Sequence, residues 1–93
     1  MNDAKKRSRL EIIYDIMVAL RDKKGPIVPT HLLYKSNLSH DRLKGYLEEL
    51  IGKHFIEEVS DKRGRKRYQL TEEGYKFLEG FQQLSEFTRS FGL

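Results

Sequence analysis

Ser39-His40-Asp41 brings together the three residue types of a nucleophilic relay. Such a relay passes hydrogen bonds from hydroxyl to imidazole to carboxylate. Three consecutive residues on a helix point in three directions and cannot build it, so the run reads as a helix start. His31, His40 and His54 share no metal-ligand spacing, and the 93-residue chain has no cysteine to complete a zinc site. No Gly-rich phosphate loop is present, and Glu48-Glu49 is most simply a solvated helix face. These residues offer no catalytic constellation. Neither enzyme activity nor a metal, cofactor or small-molecule ligand is expected.

What the sequence does concentrate is positive charge. Of a net +4, residues 61–67 hold +4 through Lys62, Arg63, Arg65, Lys66 and Arg67 against Asp61. Residues 1–9 hold +3 through Lys5, Lys6, Arg7 and Arg9 against Asp3, which leaves −3 on the rest. Two basic patches on an otherwise acidic chain suit phosphate binding, although a charge run also serves as plain solvated surface. A chain of this length makes one domain, and 38% hydrophobic with 34% charged residues is a globular composition. No apolar run is long enough for a membrane span or a signal peptide, so an intracellular, cytoplasmic protein is expected.

The elements that must position these charges follow from periodicity and punctuation. Ser8-Arg9-Leu10-Glu11 has capping-box form, and Leu10, Ile13, Met17 and Leu20 recur at helical spacing, predicting a first helix over 8–22. Lys23-Lys24-Gly25-Pro26 ends it and leaves Ile27-Val28 extended. Pro29-Thr30 opens a short second helix with Leu32 and Leu33 inward, ending around 35–37. Ser39 caps a third, in which Leu43, Tyr46, Leu47, Leu50 and Ile51 form one apolar stripe up to Gly52. Ser36-Asn37-Leu38 is a tight link between the two, with Leu38 pinning the corner, which makes a helix-turn-helix. Residues 55–60 and 66–70 predict a hairpin whose turn carries the densest charge and Gly64. Thr71 caps a last helix with Glu72 and Glu73 at its positive end. Its apolar positions are Phe77, Leu78, Phe81, Leu84, Phe87 and Phe91, and about twenty helical residues span about 30 Å, more than so small a domain needs.

The segments NLSHDRLKGYLEELIGKHFIEE and RGRKRYQLTEEGYKFLEGF, in this element order, resemble an archaeal winged helix-turn-helix family of small DNA-binding proteins that dimerise through a C-terminal antiparallel coiled coil. The match covers about residues 8–90. His54 departs from the pattern, since a glycine commonly stands there. The resemblance implies an α+β, mainly α fold: a basic tail over 1–7, a winged helix-turn-helix domain over 8–70 with a three-helix core and a two-stranded wing, and a long dimerisation helix over 71–93. It also implies that the third helix enters the major groove while the wing lies along the neighbouring backbone or minor groove. The candidates for contact with double-stranded DNA are then Ser39, His40, Arg42, Lys44 and Gly45, with Thr30 and Lys35 from the second helix and Arg63, Arg65 and Lys66 from the wing. Glu48 and Glu49 should face away from phosphates. Gly45 costs about 1 kcal/mol in a helix interior, and its missing side chain suits either close approach to DNA or packing against the second helix.

Phe77, Phe81, Leu84, Thr88 and Phe91 follow coiled-coil spacing and suit a homodimer interface; the alternative is a last helix folded back on the first. A two-fold dimer would present two recognition helices to an inverted repeat. Transcriptional regulation by sequence-specific binding is the leading reading. An architectural DNA-binding protein with little sequence preference, or a winged-helix module that docks a protein or RNA, stands beside it.

Overall fold

The computed structural model describes residues 7–93. In chain order they form α1 (Arg9–Asp22), α2 (Pro29–Ser36), α3 (His40–Gly52), β1 (Ile56–Ser60), β2 (Lys66–Leu70) and α4 (Glu72–Ser90). The Ser8 hydroxyl accepts from the Glu11 amide at 3.1 Å and the Glu11 carboxylate accepts from the Ser8 amide at 2.7 Å, completing the capping box. α1 buries Ile12, Ile13, Ile16, Met17 and Leu20. Leu10, expected on that stripe, is 54% exposed: it lies in the first turn, at the edge of the buried face.

Gly25, at φ +84°, turns the chain so that Ile27 reaches the wing. There its amide and carbonyl exchange hydrogen bonds of 2.8 and 2.9 Å with Tyr68. The extended Ile27 is therefore a one-residue third strand, and β2 lies between it and β1. α2 opens on Pro29 and closes on Asn37 in the left-handed conformation, and Leu38 is buried at the corner as its position in the turn suggests. Ser39 caps α3 by accepting from the Arg42 amide, while Leu43, Leu47 and Leu50 enter the core.

β1 and β2 are antiparallel, with Ile56 opposite Leu70, Glu58 opposite Tyr68 and Ser60 opposite Lys66. Strand alternation sends all six to one face, where Ile56 and Leu70 are buried and the others run outward past the core. At the far end of the wing the Thr71 hydroxyl donates to the His54 carbonyl at 2.6 Å and accepts from the Gly74 amide at 3.0 Å. One side chain thus caps α4 and ties it to the α3–β1 corner.

α4 divides into two unlike halves. In the first, Gly74 and Leu78 are buried, Phe77 stacks on Phe55 at 4.9 Å and Phe81 stacks on Tyr14 of α1 at 5.0 Å. The proposed dimer stripe is split accordingly. Phe77 and Phe81 are spent within the subunit, as in the folded-back alternative, because α1 and the α3–β1 corner present aromatic faces to them. Beyond Gln82, Leu84, Phe87, Phe91 and Leu93 are 62%, 62%, 67% and 93% exposed. No helix among the described residues is long and apolar enough to cross a membrane.

Candidate nucleic-acid interface

The exposed flank of α3 faces the inner side of the wing across an open groove. Thr30 of α2, His40, Lys44 and Glu48 of α3, and Glu58, Lys66 and Tyr68 of the wing line it over a floor of Pro29, Leu33, Leu43, Leu47 and Ile51. Leu43 and Leu47 fix the rotation of α3 because they anchor the core; His40, Lys44 and Glu48, spaced by four, are left on one outer row. Among the predicted contact residues, the structure brings Thr30, His40, Lys44 and Lys66 together. The others are exposed but lie outside this groove: Lys35 in the last turn of α2, Ser39 and Arg42 at the start of α3, and Arg63 and Arg65 on the wing tip. Ser39 already uses its oxygen as a cap. A Cβ built at Gly45 would meet nothing within 4 Å, so packing on α2 does not explain this glycine and its surface is open.

Charge within the site is more constrained than the sequence suggests. Asp61, its side chain 15% exposed, organises the wing turn. Its carboxylate accepts from the amides of Arg63 and Arg65 at 2.8 and 2.9 Å and from the Nε atoms of Arg65 and Arg67 at 2.9 and 3.1 Å. Gly64, at φ +78°, closes the turn. The hydrogen bond from the Arg65 amide, with those from Arg67, Arg63 and the Arg65 side chain, holds the Asp61 carboxyl well below the usual carboxylate range against an opposing burial effect. Lys66 sits 3.5 Å from Glu58. Lys62 and Arg63 are consequently the wing cations without a carboxylate within 4 Å among the described residues. Burial, and secondarily the nearby Glu58 carboxylate, push the Tyr68 phenol up.

The amino-terminal cations are largely committed elsewhere. Arg7 bonds the Asp15 carboxylate at 2.6 Å and the Ser36 carbonyl at 2.9 Å, strapping the chain across α1 and the end of α2. Arg9 pairs with Glu49 and lies 6.0 Å over the Tyr46 ring, on the flank of α3 away from the groove. The tail expectation for residues 1–6, including Lys5 and Lys6, lies outside the described residues.

Two features escaped the sequence reading. Glu48, expected to face away from phosphates, lines the same groove as Lys44, one helical turn apart, whereas Glu49 is directed elsewhere. Glu58 and Tyr68 join the site as well, and the signal for them was available in the period-two pattern that puts them on the face of Lys66. Among the described residues, no group of three or more His, Asp or Glu side chains could hold a metal ion.

A tight two-helix corner, a second helix with an open outer face and a basic hairpin beside it define a winged helix-turn-helix. The chain belongs to that family: its sequence model matches residues 6–89. The chain is 31% identical over 85 residues to an uncharacterized archaeal protein, MJ0287 of Methanocaldococcus jannaschii, over 91% of this chain and 80% of that one. It is similar in structure to Sso10a-2, a DNA-binding protein from Sulfolobus solfataricus, with a TM-score of 0.67 and 24% identity over 92% of this chain and 90% of the other. MepR, a transcription regulator of the Staphylococcus aureus multidrug efflux pump MepA, gives 0.77 at 17% identity over 95% of this chain and 65% of its own. A MepR variant bound to an oligodeoxyribonucleotide gives 0.76 at 17% identity, over 86% and 60%. The chain spans roughly three-fifths of the length of the MepR chains it matches.

Proposed function

We propose that this protein binds double-stranded DNA as a homodimer and regulates transcription, with α3 in the major groove and the wing tip over the adjacent backbone. One observation carries the reading: His40 and Lys44 of α3, Thr30 of α2 and Lys66 of the wing border one concave surface, and the exposed wing cations Lys62 and Arg63, free of carboxylate partners among the described residues, follow at the adjoining turn. A major groove about 12 Å wide admits such a helix, and a cationic hairpin suits the phosphates beside it. Thr30 and Lys35 of α2 add hydroxyl and ammonium donors of the kind that fix register on a duplex. The reported nucleic-acid binding of Sso10a-2 and of the MepR variant supports the same use of the fold. The role is binding rather than catalysis.

The partner for the far half of α4 is a second copy of the chain. Leu84, Phe87 and Phe91 expose an apolar edge, and the Phe87 and Phe91 rings pack on each other at 5.1 Å. Thr88, whose hydroxyl bonds the Leu84 and Ser85 carbonyls, lies within that edge. An antiparallel pairing of two such helices buries it.

A second reading, an architectural DNA-binding protein with little sequence preference, shares the same interface; the likeness to Sso10a-2, a DNA-binding protein, runs nearly the full length of both chains, whereas the MepR regulators are longer. The test is to titrate the isotopically labelled protein with a mixed-sequence duplex and follow backbone amide shifts. Perturbation centred on Thr30, residues 40–48 and residues 62–66 supports the reading. Shifts centred on α1, or none at saturating duplex, refute it.

A further inference from the structure

Glu48 and Glu49 are neighbours in the chain with opposite fates. Glu49 is neutralised by Arg9 on the flank away from the groove, and Glu48 projects into the groove. The other carboxylates around the site have partners: Glu58 lies 3.5 Å from Lys66, Asp61 holds Arg65 and Arg67, and Asp41 lies 3.9 Å from the His40 ring. Glu48 makes no ion pair within 4 Å among the described residues, and neither does Lys44 one turn before it. Lys before Glu at four residues is the weaker orientation of a helical pair, so helix stability does not account for Glu48. An unneutralised carboxylate on a face that meets phosphates weakens binding to every duplex unless a hydrogen-bond donor is presented to it. In the major groove that donor is an exocyclic amine, and cytosine N4 is the one a glutamate accepts from.

We infer that Glu48 is a specificity-determining residue: its carboxylate accepts from a cytosine amine in the major groove and repels sequences that offer none. This rests on the groove being the duplex-binding face. Discrimination then comes from a repulsive element as much as an attractive one. Lys44 and His40 precede it on the same row, so the base that Glu48 meets lies toward one end of each half-site.

The experiment is selection from a randomised duplex pool by wild type, Glu48→Ala, Glu48→Gln and, as a charge control, Glu79→Gln on exposed α4, with affinities then measured for the best and for an unmatched duplex. Glu48 is exposed, so the variants fold, which their circular dichroism checks. For wild type the inference expects a cytosine enriched at one position of each half-site. For Glu48→Ala it expects that preference to fall by about tenfold while affinity for the unmatched duplex rises. Glu48→Gln keeps an acceptor and retains part of the preference; Glu79→Gln matches wild type. Unchanged preference in Glu48→Ala, or equal tightening on every sequence, overturns the inference alone. Failure of wild type to retain any duplex overturns the DNA-binding reading and the inference with it.

Discussion

The Cα of Gly74 stands so close to the Phe55 carbonyl that a Cβ added there would lie 2.1 Å from the oxygen and 3.1 Å from the carbon. That carbonyl also accepts from the Thr71 amide at 3.1 Å, so it cannot swing aside without losing a bond at the start of α4. Gly74→Ala therefore forces backbone apart rather than displacing a flexible side chain. We expect a loss of about 3 kcal/mol, read as a lower urea midpoint at unchanged slope. A variant as stable as wild type would mean that α4 does not enter against the α3–β1 corner.

The same corner predicts a stabilising change. His54 has φ +67°, a conformation that costs a residue with a Cβ about 1–2 kcal/mol. Its backbone is held by the 2.9 Å bond to the Ile51 carbonyl and by Thr71. His54→Gly should raise stability by about 0.5–1 kcal/mol, less than the full strain because glycine also loosens the unfolded chain. A drop in the denaturation midpoint would contradict this.

Much of this was legible in the sequence, and the reasons are local. Capping at Ser8, Ser39 and Thr71 depends on side-chain chemistry within three residues, and all three caps form. The glycine expected by family resemblance at position 54 coincides with a positive φ, so a sequence departure marked a real backbone demand. What could not be read was pairing between distant elements. Arg9 finds Glu49 forty residues away, and Phe77 and Phe81 find Phe55 and Tyr14 within the subunit. Within the candidate site, the α3 row followed from helical periodicity. Glu48 was set apart from that row on a charge argument, although its spacing of four from Lys44 places it in the same groove.

Asp61 makes the wing acid-sensitive. Its folded-state pKa is depressed below the unfolded value of about 3.8, so its contribution is present above that value and is lost as pH falls through the carboxylate range toward the depressed one. Acidification from pH 5 should therefore lower the protection of the Arg63 and Arg65 amides, measured against their intrinsic exchange rates at each pH, in wild type. Asp61→Asn, which cannot titrate, should show lower protection at these amides already at pH 7 and a protection that changes less with pH. Equal pH responses in the two proteins would remove Asp61 as the organiser of the turn.

The division of α4 predicts two distinct phenotypes. Leu84→Asp with Phe87→Ser should give folded monomers in sedimentation equilibrium. Phe81→Ser should instead lower stability by about 1–2 kcal/mol, because it removes a stack on Tyr14 within the subunit from a half-buried position. A dimer that persists in the first variant would place the interface elsewhere.

The most direct measurement of the central claim is duplex affinity as a function of salt for wild type and for Lys62→Ala with Arg63→Ala. The account predicts that wild-type affinity falls linearly on a log–log plot. It also predicts that the double variant binds every sequence more weakly with a slope shallower by about two, since each lost phosphate contact removes roughly one released counterion. A double variant with wild-type affinity and slope would contradict the wing and groove as the nucleic-acid interface.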